Sequence, residues 1–306
     1  HVIITVAVFI CCLCIRLCLI TMILSLLNIL QSELHMVPAA ILLILILPLS
    51  SNQRVRYYGC FVVYIFLVST AALVLLPIFL IRPKNVRNCV LTGYLLRHIS
   101  KLVGIQWELR RRDILEVERG AVIVANHQSM FDILGMFDFW DVMGKCAAVA
   151  RREVFYVWPF GLAAWAAGVV FIDRKRGRVA NHQLDEASSL IKLHKTKLWL
   201  FPEGTRNRKG DTLLPFKRGA FRVAVSCQAP IIPVVYSPYY FMNTEKKYFG
   251  HGRIIVQVLD PISTEGKTEN DIDALMEETR ELMVKQYELL KQEVLTLPNP
   301  DNRKIQ

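Results

Sequence analysis

Charge is nearly absent from the first 81 residues, which hold only Arg16, Glu33, Arg54 and Arg56. An ordinary globular domain carries about one charged residue in four, so this quarter of the chain does not read as a soluble unit. No Gly-x-Ser-x-Gly sequence occurs, and the nucleophile elbow of a serine hydrolase is therefore missing. The eight cysteines form neither a disulfide framework nor a metal-ligand pattern: Cys11, Cys12, Cys14 and Cys18 share one apolar run, while Cys60, Cys89, Cys146 and Cys227 stand far apart. Reduced, buried thiols are expected, and zinc is not. Internal repeats, low-complexity linkers and recognisable nucleic-acid modules are also lacking. The net charge of +11 and pI near 9.3 are thus not read as a nucleic-acid footprint.

Hydrophobic residues make up 53% of the chain and mean hydropathy is +0.35, with the excess at the N-terminal end. Gly59 to Ile81 gives 23 uncharged residues, enough to cross ~30 Å of hydrocarbon as a helix. Val37 to Leu49 would reach only ~20 Å and suits a one-leaflet helix. Together residues 37–81 read as a membrane-anchoring helical hairpin, with the bilayer as partner. Residues 1–36 read as a further apolar segment, either another membrane helix or an extension upstream of a start such as Met36. Residues 82–112 carry eight Lys or Arg against the single acid Glu108, a flank expected to stay cytosolic and to meet an anionic leaflet. The missing Asn-x-Ser/Thr sequon agrees with a cytosolic face. Arg54 and Arg56 put positive charge on the other flank too, a conflict that a one-leaflet hairpin removes.

From residue 82 to 297 short apolar runs alternate with amphipathic segments, which predicts an α/β domain built on a mixed, largely parallel sheet flanked by helices. Strands are expected near 121–125, 146–150, 168–172, 197–201, 231–236 and 253–258. Helices are expected near 129–138, 153–166, 178–194, 217–227 and 270–293, with a short tail at 298–306.

The chemistry gathers at strand ends. After the apolar run Ala121–Val124 come Asn126-His127-Gln128-Ser129-Met130-Phe131-Asp132. The spacing puts His127 in a turn and Asp132 in the first helical turn, from where the carboxylate can fold back onto the ring. An aspartate that fixes one imidazole nitrogen leaves the other free to take a proton near neutral pH. Ser129 reads as a helix cap. Farther on, Leu198-Trp199-Leu200 leads into Phe201-Pro202-Glu203-Gly204-Thr205-Arg206, whose glycine, hydroxyl and guanidinium suit a phosphate monoester. Two more blocks are Gly168–Ile172 followed by Asp173-Arg174-Lys175-Arg176, and Ile231-Ile232-Pro233-Val234-Val235-Tyr236.

These four ordered blocks resemble those of the glycerolipid acyltransferases, in particular the 1-acylglycerol-3-phosphate (lysophosphatidic acid) acyltransferases. The resemblance extends through Ala150-Arg151-Arg152-Glu153 and Leu214–Phe221, covering roughly residues 80–260. It implies that His127 and Asp132 are catalytic, and that Arg174, Glu203, Gly204, Thr205 and Arg206 bind the acceptor phosphate. Asn126, Arg151, Lys217 and Pro233 would support the site or the acyl-CoA. It further implies lysophosphatidic acid and long-chain acyl-CoA as substrates, no cofactor beyond that co-substrate, and an endoplasmic reticulum membrane location. Backbone amides near Gly204 or at the start of the helix after His127 are expected to hold the oxyanion. An acyltransferase for glycerol 3-phosphate or another lysophospholipid is the alternative; a non-catalytic membrane scaffold is disfavoured by the intact pair. Arg151 stands where many relatives have lysine, and Ile231-Ile232 replaces a more valine-rich version.

Overall fold

The computed structural model describes residues 37–172, 188–208 and 210–296. An apolar helix α1, Val37–Leu49, leads into α2, Gln53–Ile81, which is long and apolar enough to cross a membrane by length and composition. Asn52 starts α2 as an N-cap, its side chain accepting from the amides of Arg54 and Val55. One side of α2 carries Tyr57, Cys60, Tyr64, Val68, Ala71, Leu75 and Phe79 at helical spacing, all buried against the rest of the protein. The opposite side leaves Tyr58, Val62, Ile65, Leu73, Val74 and Ile78 exposed. One apolar helix with an uncovered apolar side is the mark of membrane association.

Arg56 resolves the charge conflict at the start of α2. It is buried, donating to the carbonyls of Phe249 (2.7 Å), Pro48 and Val103, and lying beside the His251 ring. The cation is therefore held by the globular domain rather than presented to a far aqueous side. With Phe79 also buried near the other end, α2 lies on the domain along its length.

The domain continues with α3 (Asn88–Val103), β1 (Ile105–Arg110), α4 (Arg112–Glu116), β2 (Ala121–Ala125), α5 (Asp132–Asp138) and α6 (Trp140–Met143). Next come β3 (Cys146–Arg151), α7 (Arg152–Phe155), α8 (Phe160–Ala166), β4 (Val170–Ile172) and β5 (Lys197–Leu200). α9 (Gly219–Cys227), β6 (Ile231–Tyr236), the hairpin β7 (Met242–Asn243) and β8 (Tyr248–Phe249), β9 (Gly252–Val258) and α10 (Ile272–Thr296) complete it. The seven-stranded sheet has the order β1-β9-β6-β2-β5-β3-β4. All neighbours are parallel except β6 and β9, whose antiparallel pairing sets β1 and β9 against the rest. The fold is α/β with a mixed, largely parallel sheet, as the alternation predicted.

Both faces of the sheet are covered, which is why the strands read as continuous apolar runs. Ala121, Ile123 and Ala125 of β2 face a core shared with α2, α3 and α5, whereas Val122 and Val124 face one shared with α9 and α10. The helix expected over 153–166 is two, α7 and α8, parted at Val157-Trp158-Pro159, where proline cannot continue a ladder. β1 and the β7–β8 hairpin escaped the sequence reading, because β1 is largely half-buried and polar and each hairpin strand is two residues long. Most of the helix expected at 178–194 lies outside the described residues. Cys60, Cys89, Cys146 and Cys227 are free and buried; burial pushes the Cys146 thiol up to about 12.

Candidate active site

The site is built where β2, β5 and β6 end together, at the carboxyl edge where ligands gather in such sheets. Asn126 finishes β2 by using its side chain as one more strand residue: its Nδ2 donates to Tyr236 O (3.1 Å) and its Oδ1 accepts from Tyr236 N (2.8 Å). The chain must then turn, and His127 emerges with its ring stacked on Phe201 at 4.1 Å between centroids and 18° between planes. The His127 carbonyl accepts from Asn207 N (2.7 Å), which ties the turn to the segment after β5.

Asp132, fully buried, folds back as the spacing predicted. Its Oδ2 accepts from His127 Nδ1 (2.7 Å), Gln128 N (2.8 Å) and Ser129 N (3.1 Å), and its Oδ1 from the Tyr239 hydroxyl (2.8 Å). Four donors replace the water that a buried carboxylate gives up. Burial and the nearby Asp132 carboxylate push the Tyr239 phenol well above its ordinary value, so it stays a donor. His127 Nε2 has no hydrogen-bond partner among the described residues, and the ring keeps 19% of its side chain exposed. Among the described residues the imidazole thus has one nitrogen held and one open, the arrangement a general base requires.

Glu203, another sequence candidate, is built into the scaffold. Its Oε1 accepts from His127 N (2.7 Å) and its Oε2 from Leu214 N (3.1 Å), and only 2% of the residue is exposed. Burial raises its pKa, against the lowering effect of those two amides. Glu203 thus holds the His127 turn and the Leu214 segment together rather than facing a ligand. Glu203→Ala will leave two amides without acceptors, at about 1–3 kcal/mol each, and lower the melting midpoint by several degrees; Glu203→Gln, which keeps one acceptor, will recover part of the loss. Because its folded pKa is raised, this carboxyl's contribution to stability falls as pH climbs from its unfolded value through the raised one, and is flat above. Thermal denaturation of wild type and Glu203→Gln across that window checks the sign: the variant's curve will lack this decline.

Gly204 turns the chain with φ +69, a left-handed value that glycine adopts without strain. Its carbonyl accepts from Arg151, so the arginine at the end of β3 braces the turn. Beyond it Thr205 and Arg206 are exposed, and Arg206 makes no ion pair among the described residues. Arg206 lines a cleft of about 480 Å³ with Gln128, Ser129, Tyr239, Arg208 and Lys247. The cleft adjoins the Asp132 partners and carries several cations. Lys247 is an addition that sequence spacing did not flag, since it arrives from the distant β7–β8 hairpin.

Pro233 lies within β6, opposite Val124, and accepts from Leu259 N through its carbonyl; it is wall. Lys217 has an exposed side chain, and its amide donates to Pro202 O (2.9 Å). Ser129 does not cap α5, whose N-cap is Phe131; its hydroxyl accepts from Phe131 N (3.3 Å), two residues on, within the turn. Arg174 lies outside the described residues. Of the amides near the pair, those of Gln128 and Ser129 are committed to Asp132 and that of Gly204 to Phe201 O (3.1 Å).

The sequence model of the Acyltransferase family matches residues 106–237, a span that holds the pair and the Glu203–Arg206 turn. The chain is 40% identical over 215 residues to mouse (Mus musculus) 1-acyl-sn-glycerol-3-phosphate acyltransferase alpha, covering 70% of this chain and 74% of that protein. With the human (Homo sapiens) beta enzyme it shares 38% over 242 residues, 78% and 86% of the two chains. The chain belongs to the 1-acyl-sn-glycerol-3-phosphate acyltransferase family. The bacterial member from Haemophilus influenzae is 32% identical over 219 residues, 70% of this chain and 88% of its own. The crystal structure of the acyltransferase PlsC from Thermotoga maritima shares the fold, with a TM-score of 0.53 at 21% identity over 67% of this chain and 79% of that one.

Proposed function

We propose that this acyltransferase moves a long-chain acyl group from acyl-CoA to the sn-2 hydroxyl of 1-acyl-sn-glycerol 3-phosphate, giving phosphatidic acid and CoA. The observation that carries the reading is the 2.7 Å His127–Asp132 contact with Nε2 open among the described residues, next to a cleft lined by Arg206. The relatives named for this acceptor support the choice of substrate.

His127 Nε2 removes the acceptor's hydroxyl proton as the oxygen attacks the thioester carbonyl. Asp132 compensates the imidazolium in the way of a catalytic triad whose hydroxyl is the substrate's own. The tetrahedral oxyanion then collapses, the carbon–sulfur bond breaks, and the imidazolium returns its proton to the departing thiolate. No acyl-enzyme forms and no cofactor is needed beyond the co-substrate. Because the amides of Gln128, Ser129 and Gly204 are taken, we assign the oxyanion donors to the exposed Thr205–Arg206 segment. Arg206 also grips the acceptor phosphate, for which its planar fork is suited. The working location is the endoplasmic reticulum membrane, with the catalytic domain on the cytosolic side.

The test is acyl transfer from oleoyl-CoA by the purified protein to lysophosphatidic acid, glycerol 3-phosphate and lysophosphatidylcholine in parallel. Product from the first alone is expected; a preference for either of the others would move the assignment within the family. Arg206→Ala will raise KM for lysophosphatidic acid by about tenfold or more, the worth of a charge-assisted contact, and Arg206→Lys will restore only part of it.

A further inference from the structure

Three consecutive large side chains stand out on the surface. Tyr156, Val157 and Trp158 are 68%, 55% and 67% exposed, in the connection between α7 and α8. A soluble surface carries single exposed apolar residues as a matter of course, but three in a row including a tryptophan require an occupant.

The connection is held out by the fold. Tyr156 N donates to Glu153 O (3.2 Å), Val157 N to Val154 O (3.1 Å) and Gly161 N to Val157 O (2.7 Å). From behind, the Phe155 ring packs edge-on against Tyr156 and against Phe171 of β4. The three side chains are thus presented by a backbone in which the amides of Tyr156 and Val157 are paired.

Position identifies the occupant. The loop runs directly into α8, which packs against α2, and Ala166 and Ala167 at the end of α8 accept from Asn88 and Cys89 of α3, just beyond the turn after α2. At the same corner Lys84 lies over the Trp165 ring. α8 therefore links the loop to the helix whose uncovered side is apolar, with Arg151 and Arg152 just before the loop and Arg82, Lys84 and Arg87 at the far end of α8. Tyrosine and tryptophan with adjacent Lys and Arg are the composition of a membrane–water interface, where rings sit at headgroup depth and cations meet lipid phosphates.

We propose that the Tyr156–Trp158 loop inserts into the interfacial layer of the leaflet that holds α2, as a second lipid contact that fixes the tilt of the catalytic domain on the bilayer. This rests on α2 being immersed. A contact at the loop, added to the α1–α2 hairpin, constrains rotation of the domain on the bilayer more than the hairpin alone. The site's mouth is thereby kept at the level where a lysolipid headgroup lies.

The test uses tryptophan fluorescence of the full chain in nanodiscs of phosphatidylcholine and phosphatidic acid, with or without bromine on the acyl chains. Trp158 is read as the difference between wild type and Trp158→Phe, and immersion of α2 is read independently from Ile65→Trp on its exposed side. Bromine quenching of both signals is expected. Quenching at position 65 with none at Trp158 would overturn the loop contact while leaving the anchor standing; no quenching at either would remove both. An unquenched Trp158 together with cross-linked dimers would assign the patch to a second copy instead. In kinetics, Val157→Ser with Trp158→Ser will raise KM for bilayer-presented lysophosphatidic acid by about 10²-fold or more, on the scale of losing these two buried side chains, with kcat in detergent unchanged. A matching loss of kcat in detergent would show that the loop serves the fold rather than the membrane.

Discussion

His127→Ala will lower kcat for acyl transfer by about 10²–10⁴-fold, the usual worth of a positioned general base, while leaving the thermal midpoint within a few degrees of wild type. His127 is held by three features: the bond to Asp132, the stack on Phe201, and its own backbone, which is held by Glu203 and Asn207. Only the first two involve the imidazole, so its removal spares the turn. KM for the acceptor should change little, because the phosphate is held by Arg206 and not by the base. Activity surviving within a few-fold of wild type would end the proposed role. A companion measurement separates direct attack from a covalent route: without acceptor, wild type should show no burst of free CoA, since the nucleophile is the substrate's hydroxyl.

The sequence makes the site legible in some places and opaque in others, and the difference is physical. His127 and Asp132 are five residues apart, and strand-to-helix geometry alone brings them together, so local spacing predicted a contact that is present at 2.7 Å. Glu203 lies 76 residues from His127 and was expected to face a ligand. Only the parallel pairing of β2 with β5, which lays the two turns side by side, shows its carboxylate bonded to the His127 amide. Tyr239, 107 residues from Asp132, and Lys247 on a two-residue-stranded hairpin gave no signal for the same reason. Arg56 carried a signal, an awkward charge at the edge of an apolar run, but its solution is tertiary: three carbonyls from separate segments surround it. Five of the expected strands and the long C-terminal helix match closely because their apolar periodicity is set by burial on one or both faces, which the chain writes locally. β1 pairs with only one neighbour at the sheet edge and is largely half-buried, so its pattern is diluted.

Asp132→Asn separates two roles that a histidine-orienting carboxylate usually merges. At Oδ2 three N–H groups converge, from His127, Gln128 and Ser129, so the amide oxygen of an asparagine must occupy that corner; its NH2 would otherwise face three donors. The NH2 then falls at the Oδ1 corner, where the Tyr239 hydroxyl can rotate to accept. The variant therefore keeps the imidazole tautomer that leaves Nε2 open, and loses only the negative charge. A unit charge about 4 Å from the forming imidazolium, at an effective dielectric of about 20, is worth roughly 4 kcal/mol, or about 10³ in rate. The expected result is a fall of about 10³ in kcat with the fold retained. Asp132→Ala should do worse on both counts, since it abandons four buried donors at about 1–3 kcal/mol each and frees the ring to turn. Equal losses in kcat for Asn and Ala would show that holding the ring adds nothing beyond the charge, whereas an Asn variant within tenfold of wild type would show that the imidazolium is stabilised from elsewhere.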